Sequence, residues 1–182
     1  MAWILLALLA LAALWALRVF NRLVRLRNQM RTAWADIDVQ LSRRHDLVPQ
    51  LVAAVGAYAG HERATLETVA QLRTQAMGLS SPARLGTVES ELEHALGRLL
   101  ALKEAHPDLK ASENFAQLQR DLVDVEDQLQ YARRFYNGAV RDYNDAIGRA
   151  PDLLLARTFA FAQGEFYQAD AGTRIAPQVQ LP

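Results

Sequence analysis

"DVQLSRRHDLVPQL", residues 38–51, decides how this chain is built. It sets a histidine beside an aspartate, with two arginines before them and a proline four residues beyond the histidine. Apolar residues approach it at Leu23, Leu26, Met30, Trp34, Ile37 and Leu41, at the three-and-four spacing of one face of an amphipathic helix. The series Trp34, Leu41, Val48, Val55 then advances in sevens across Pro49. A companion series, Ile37, Arg44, Leu51, Tyr58, does the same, with Arg44 as its polar interruption. A loop at Pro49 would reset that phase. The spacing therefore predicts one helix over residues 21–77, kinked at Pro49, with the carbonyl freed by the missing proline N–H near His45. The competing reading starts a second helix with Asp46 as its N-cap.

Neither reading makes a catalytic corner. On a helix the adjacent side chains of His45 and Asp46 point ~100° apart. The chain has no cysteine to act as a nucleophile, and that also removes disulfides and thiolate metal sites. Arg43, Arg44 and Asp46 are expected in ion pairs around the bend, with Asp121 or Asp124 on a later helix as partners.

Upstream, "AWILLALLALAALWAL", residues 2–17, has no charged or strongly polar side chain. As a helix it spans ~24 Å, a little under a hydrocarbon core of ~30 Å, and Arg18 can extend it to Phe20 by snorkelling. Trp3 and Trp15 stand near its ends, where indoles favour the interface. A cleaved signal peptide carries its positive charge before the apolar run, whereas Arg18, Arg22, Arg25, Arg27 and Arg31 all follow it. A buried helix of a soluble protein would show water a polar face, which this one lacks. The segment reads as an uncleaved anchor. The arginines place the N-terminus outside and the remainder in the cytoplasm, and suit an anionic lipid surface.

Over the whole chain charge is balanced, twenty basic against twenty acidic side chains, so no global field draws nucleic acid. Ala and Leu dominate, which favours helices. "GLSSPARLG" is a turn, with Ser81 as N-cap and Pro82 at the first position of a helix to about residue 104. Ser112 can cap a third helix, to residue 148, whose seam holds Phe115, Leu118, Leu122, Val125, Leu129, Ala132, Tyr136, Ala139 and Tyr143. Asn137 and Asn144 flank that seam. The organisation is an anchor over 1–20, a helical bundle over 21–150, and a short helix with an extended tail, "TRIAPQVQLP", over 151–182.

At 1.5 Å per residue the first helix beyond the anchor would be ~85 Å long, the third ~55 Å and the second ~33 Å. The stretch from Leu23 to Leu41 thus lacks an evident partner. Either the apolar segment 153–167 folds back on it or other copies cover it, and the mismatch together with the short anchor favours self-association.

Catalytic and metal motifs are thin. "HERAT" at 61–65 lacks the second histidine of a zinc-protease site, and "ELEH" at 91–94 lacks the second Glu-x-x-His of a di-iron bundle. No phosphate loop or Gly-x-Ser-x-Gly occurs. No catalytic residue, cofactor or metal ligand is expected.

The blocks "NRLVRLRNQMRTAWADIDVQLSRRHDLVPQLVAAVGAYAGHE" and "ENFAQLQRDLVDVEDQLQYARRFYNGAVRDYN", with a terminal "AP-x-V", resemble the LemA family of bacterial membrane-anchored helical proteins. His45 stands where many members carry tyrosine. The resemblance implies a single N-terminal transmembrane helix followed by an elongated antiparallel bundle, with no established activity or cofactor. It also implies a loose association with membrane remodelling and envelope maintenance. One relative takes part in magnetosome membrane formation, and some family genes neighbour a membrane metalloprotease.

The sequence is therefore expected to encode an all-α, non-enzymatic scaffold in the bacterial inner membrane. It self-associates, contacts membrane lipids and leaves nucleic acid alone. The alternative is a tethered adaptor for a membrane protease or another envelope protein.

Overall fold

The computed structural model describes residues 1–59 and 61–168, so the tail read as extended lies outside the described residues. Among the described residues every regular element is helical: α1 (Ala2–Gly56), α2 (Arg63–Met77), α3 (Pro82–Ala101), a 3-10 turn (Leu102–Glu104), α4 (Pro107–Lys110), α5 (Glu113–Gly148) and α6 (Asp152–Thr158). Ser81 and Ser112 cap as their positions predict, accepting from the amides of Arg84 and Phe115 at 3.5 and 3.3 Å.

α1 passes through Pro49 without a break. It does not continue to residue 77, as the seven-residue phase had suggested. It stops at Gly56, and α2 is a separate helix. Two glycines four apart, Gly56 and Gly60, weaken the helix there, each by about 1 kcal/mol relative to alanine. The Tyr58 amide already bonds the Val55 carbonyl in a tightened last turn. Tyr58 is consequently exposed instead of extending the seam, and Ala59 enters the core in its place.

The described residues form two compact units, residues 1–38 with 131–165, and residues 39–130 with 166–168. In the first, Val19 and Leu23 of α1 pack with Tyr143, Ala146 and Ile147 of α5 and Ala156 of α6. After α6 the chain reverses at Ala160, whose φ of 51° puts it in the left-handed region. It returns as a strap along the helices. Phe159 and Phe161 meet Phe20 edge-on, with centroids 4.9 and 5.9 Å apart. The Arg27 guanidinium lies 5.1 Å over the Phe161 ring. Gly164 sits so close to Met30 that a Cβ there would meet its sulfur.

The strap's backbone is held by side chains of α5. The Tyr143 hydroxyl donates to the Ala162 carbonyl at 2.9 Å, and the Tyr136 hydroxyl donates to that of Glu165 at 2.8 Å. Asn144 grips Gly164 at both its N–H and its C=O, at 2.8 and 3.0 Å. The membrane-proximal part of α1 thus finds its partner within its own chain. The length mismatch loses its force as an argument for self-association, because residues 152–165 occupy the place that a second copy was expected to fill.

In the second unit, Val48, Leu51 and Val55 of α1 pack with Leu92, Leu96 and Leu99 of α3, Leu109 of α4, and Phe115, Leu118 and Leu122 of α5. α2 lies against α3 and contributes Val69 to this core.

Candidate functional site: a buried ion network and an adjoining groove

The polar interruption at Arg44 has a counterpart. Along α3, Leu85, Glu89, Leu92, Leu96 and Leu99 keep a four-three spacing, and all five are buried, Glu89 completely. Glu89 is to α3 what Arg44 is to α1. Arg44 Nη1 donates to Glu89 Oε2 at 3.0 Å and, more weakly, to the Glu89 carbonyl at 3.5 Å. Its Nη2 donates to Glu126 Oε2 of α5. His45 Nε2 stands 2.6 Å from Glu89 Oε1. Three helices are thereby tied at one level. A buried guanidinium and carboxylate each need such pairing, since unpaired either would carry several kcal/mol of desolvation.

The ion pairs expected with Asp121 or Asp124 do not form. Arg44 selects Glu89 and Glu126, while Arg43 and Asp46 are exposed outside the network. The reason is helical geometry: Arg44 lies on the seam through Ile37 and Leu51, and its neighbours in sequence are rotated off it. The carbonyl freed by Pro49 is that of His45, and Arg73 of α2 fills the vacancy, its Nε donating at 2.7 Å. Sequence reasoning missed Glu89, Glu126 and Arg73. The signal available for Glu89 was a lone acid in an otherwise apolar seam.

Beside the network a groove of about 330 Å³ opens between α3 and α5, lined by Leu96, Gly97, Leu100, Leu122 and Val123 with Glu93, His94, Arg44 and Glu126 at its polar side. Glu91 of the "ELEH" stretch is exposed, and no group of three metal-ligating side chains occurs among the described residues.

Of the seam residues, Leu41, Val48, Val55, Phe115, Leu122 and Leu129 are buried in the second unit. Tyr136 and Tyr143 are buried in the first, where Trp34 is half-buried against Tyr136 with ring centroids 5.3 Å apart. Burial pushes the Tyr136 phenol up to about 12, helped by the Glu165 carboxylate, and burial raises Tyr143 as well.

At the other end of the chain Trp3 and Trp15 are exposed, as is nearly every side chain of residues 2–17. Arg18, Arg25 and Arg31 are also exposed. Arg22 pairs with Asp152 at 3.0 Å. α1 is the one helix among the described residues long and apolar enough to cross a membrane, and its apolar window is almost wholly unburied.

These features define an all-helical bundle protein with an uncovered apolar N-terminal helix. Residues 33–181 match the model of the LemA family, and the chain belongs to that family. It is 23% identical over 82% of its length to "Magnetosome protein MamQ 2" of Paramagnetospirillum magneticum, and 23% identical over 88% of its length to "Magnetosome protein MamQ" of Magnetospirillum gryphiswaldense. It is 27% identical over 70% of its length to "Protein LemA" of Metamycoplasma hominis. The chain spans 64%, 70% and 58% of these relatives' own lengths.

Proposed function

We propose that the chain is a membrane-anchored, non-enzymatic scaffold that self-associates and organises or remodels the bacterial inner membrane. The observation that carries this is the helix over residues 2–17: it is apolar, uncovered by the rest of the chain, and continuous with the helix that builds the bundle. Water would not tolerate such a face, whereas a bilayer satisfies it. Arg18, Arg25 and Arg31, exposed just beyond it, suit anionic headgroups and a cytoplasmic bundle.

The buried polar groups support a structural role, since Arg44, His45 and Glu89 are engaged with one another and with the half-buried Glu126. Tyr131 and Phe135, 64% and 52% exposed one turn apart on α5, offer an apolar face for a further copy. The relatives named magnetosome proteins support a role in building a cellular structure.

The test is the mass of the full chain in mild detergent by light scattering, beside a version beginning at residue 28. A uniform assembly of many copies is expected for the full chain. A monomer would overturn self-association, and a monomer joined to a foreign chain would establish the adaptor reading. Orientation is checked by labelling cysteines placed at residues 2 and 180 from either side of the membrane; reaction of residue 180 from outside would overturn it.

A further inference from the structure

Gly86 of α3 is buried because the backbone of Gln168 lies directly on it, and a Cβ at Gly86 would collide with the Gln168 carbonyl. Gln168 is the last described residue. Gly86, Glu93, Gly97 and Leu100 are spaced by seven, four and three, so they form one stripe along α3. That stripe is covered at Gly86, but Glu93 and Leu100 are half-buried and Gly97 is exposed. From Glu93 onwards it is one wall of the α3–α5 groove. The covered glycine and the open groove are successive parts of the same face.

We propose that residues 169–182 of this chain dock along the α3–α5 groove, lying over Gly97 and against Leu100, Leu122 and Val123. Reach permits it. Ile175 is seven residues beyond Gln168, ~23 Å when extended, while Gly97 is eleven helical residues beyond Gly86, ~16 Å along α3.

Pattern fits it as well. Ile175, Pro177, Val179 and Leu181 alternate with Ala176, Gln178 and Gln180, the period of an extended segment with one apolar face. The groove supplies an apolar floor for such a face. Arg174 is the cationic side chain of this stretch, and Glu93 and Glu126 stand at the groove's polar side. The family match extends through residue 181, so these residues belong to the unit the family shares.

The test uses the full chain in mild detergent with cysteines introduced in pairs, since the chain has none of its own. Gly97→Cys is combined with Ile175→Cys or with Pro177→Cys. Glu91→Cys, five residues from Gly86 and so ~140° around α3 from the stripe, is combined with the same two as control. A disulfide requires Cα atoms within ~7 Å, so oxidation reports close approach. Crosslinking at monomer mass is expected from a Gly97→Cys pair and not from the Glu91→Cys pairs. Crosslinking only at dimer mass, equal crosslinking from Glu91→Cys, or none from either Gly97→Cys pair would overturn the proposal. Independently, Gly97→Cys alone should react with a maleimide several-fold faster in a chain stopped after Gln168. An unchanged rate would also overturn it.

Discussion

Arg44 and Glu89 meet at 3.0 Å with 3% and 0% of their side chains exposed, and Glu89 also answers His45 at 2.6 Å. One carboxylate on α3 thus serves two polar neighbours on α1. Glu89→Ala would take a fully buried carboxylate partner from the buried Arg44, and the expected loss of stability is about 3–5 kcal/mol. Glu89→Gln keeps the shape but turns an amide donor toward Arg44 or His45, so a smaller loss of about 1–3 kcal/mol is expected. Urea unfolding in mild detergent, followed by circular dichroism at constant m, measures both. Equal midpoints for Glu89→Ala and the parent chain would refute the network's structural role.

Tyr136 gives a stability change confined to alkaline pH. Its phenol is pushed up to about 12, first by burial and then by the Glu165 carboxylate, from the ordinary value of 10.0. Between those values the folded chain keeps a proton that the unfolded chain releases. The contribution is therefore complete below pH 10 and is lost as pH rises through about 12, amounting to about 2–3 kcal/mol. Tyr136→Phe should remove this part of the alkaline slope and cost about 1 kcal/mol at neutral pH for the lost bond to Glu165. Melting curves of the two chains at pH near 8 and near 11 should converge at the higher value. Parallel decline would refute the assignment.

What the sequence reveals follows from how local each signal is. The seams of α1, α3 and α5 are written as spacing, and Ser81 and Ser112 announce helix starts by their chemistry. The end of α1 is harder to read, because a heptad phase continues in print after the helix has stopped. Gly56 and Gly60 carried the signal that it stops. The pairing of Arg44 with Glu89, 45 residues away, depends on which helix faces which, and spacing alone does not contain that. The strap was legible only as one of two alternatives. Its attachment relies on backbone carbonyls at Ala162, Gly164 and Glu165, and carbonyls carry no residue identity.

Ala160 occupies a conformation better suited to glycine. Its φ is 51°, where a Cβ crowds the following carbonyl. The amide of Phe161 bonds the Ala156 carbonyl at 2.9 Å, closing the end of α6 in the manner of a Schellman turn. Ala160→Gly should relieve the crowding and stabilise the chain by up to about 1 kcal/mol, despite glycine's greater freedom when unfolded. Ala160→Val should destabilise it, since a β-branched side chain is disfavoured there. Thermal unfolding of both variants decides; a Val variant as stable as the Gly variant would show that the turn is not held in this form.

Pro49 and Arg73 should prove energetically coupled. Proline at position 49 has no N–H to offer the His45 carbonyl four residues back, and Arg73 Nε donates to that carbonyl at 2.7 Å. With Pro49 in place, Arg73→Met removes the donor and should cost about 1–3 kcal/mol. Pro49→Ala restores an amide at the same carbonyl, and the exposed position leaves room for the methyl group, so this change alone should stabilise α1 by up to about 3 kcal/mol. In the Pro49→Ala background the His45 carbonyl keeps a donor when Arg73 is lost, so Arg73→Met should cost less there by about 1 kcal/mol. The four chains form a double-mutant cycle, read by urea unfolding. A coupling energy near zero would mean that Arg73 contributes equally with and without the vacancy, and that its placement over the proline is incidental.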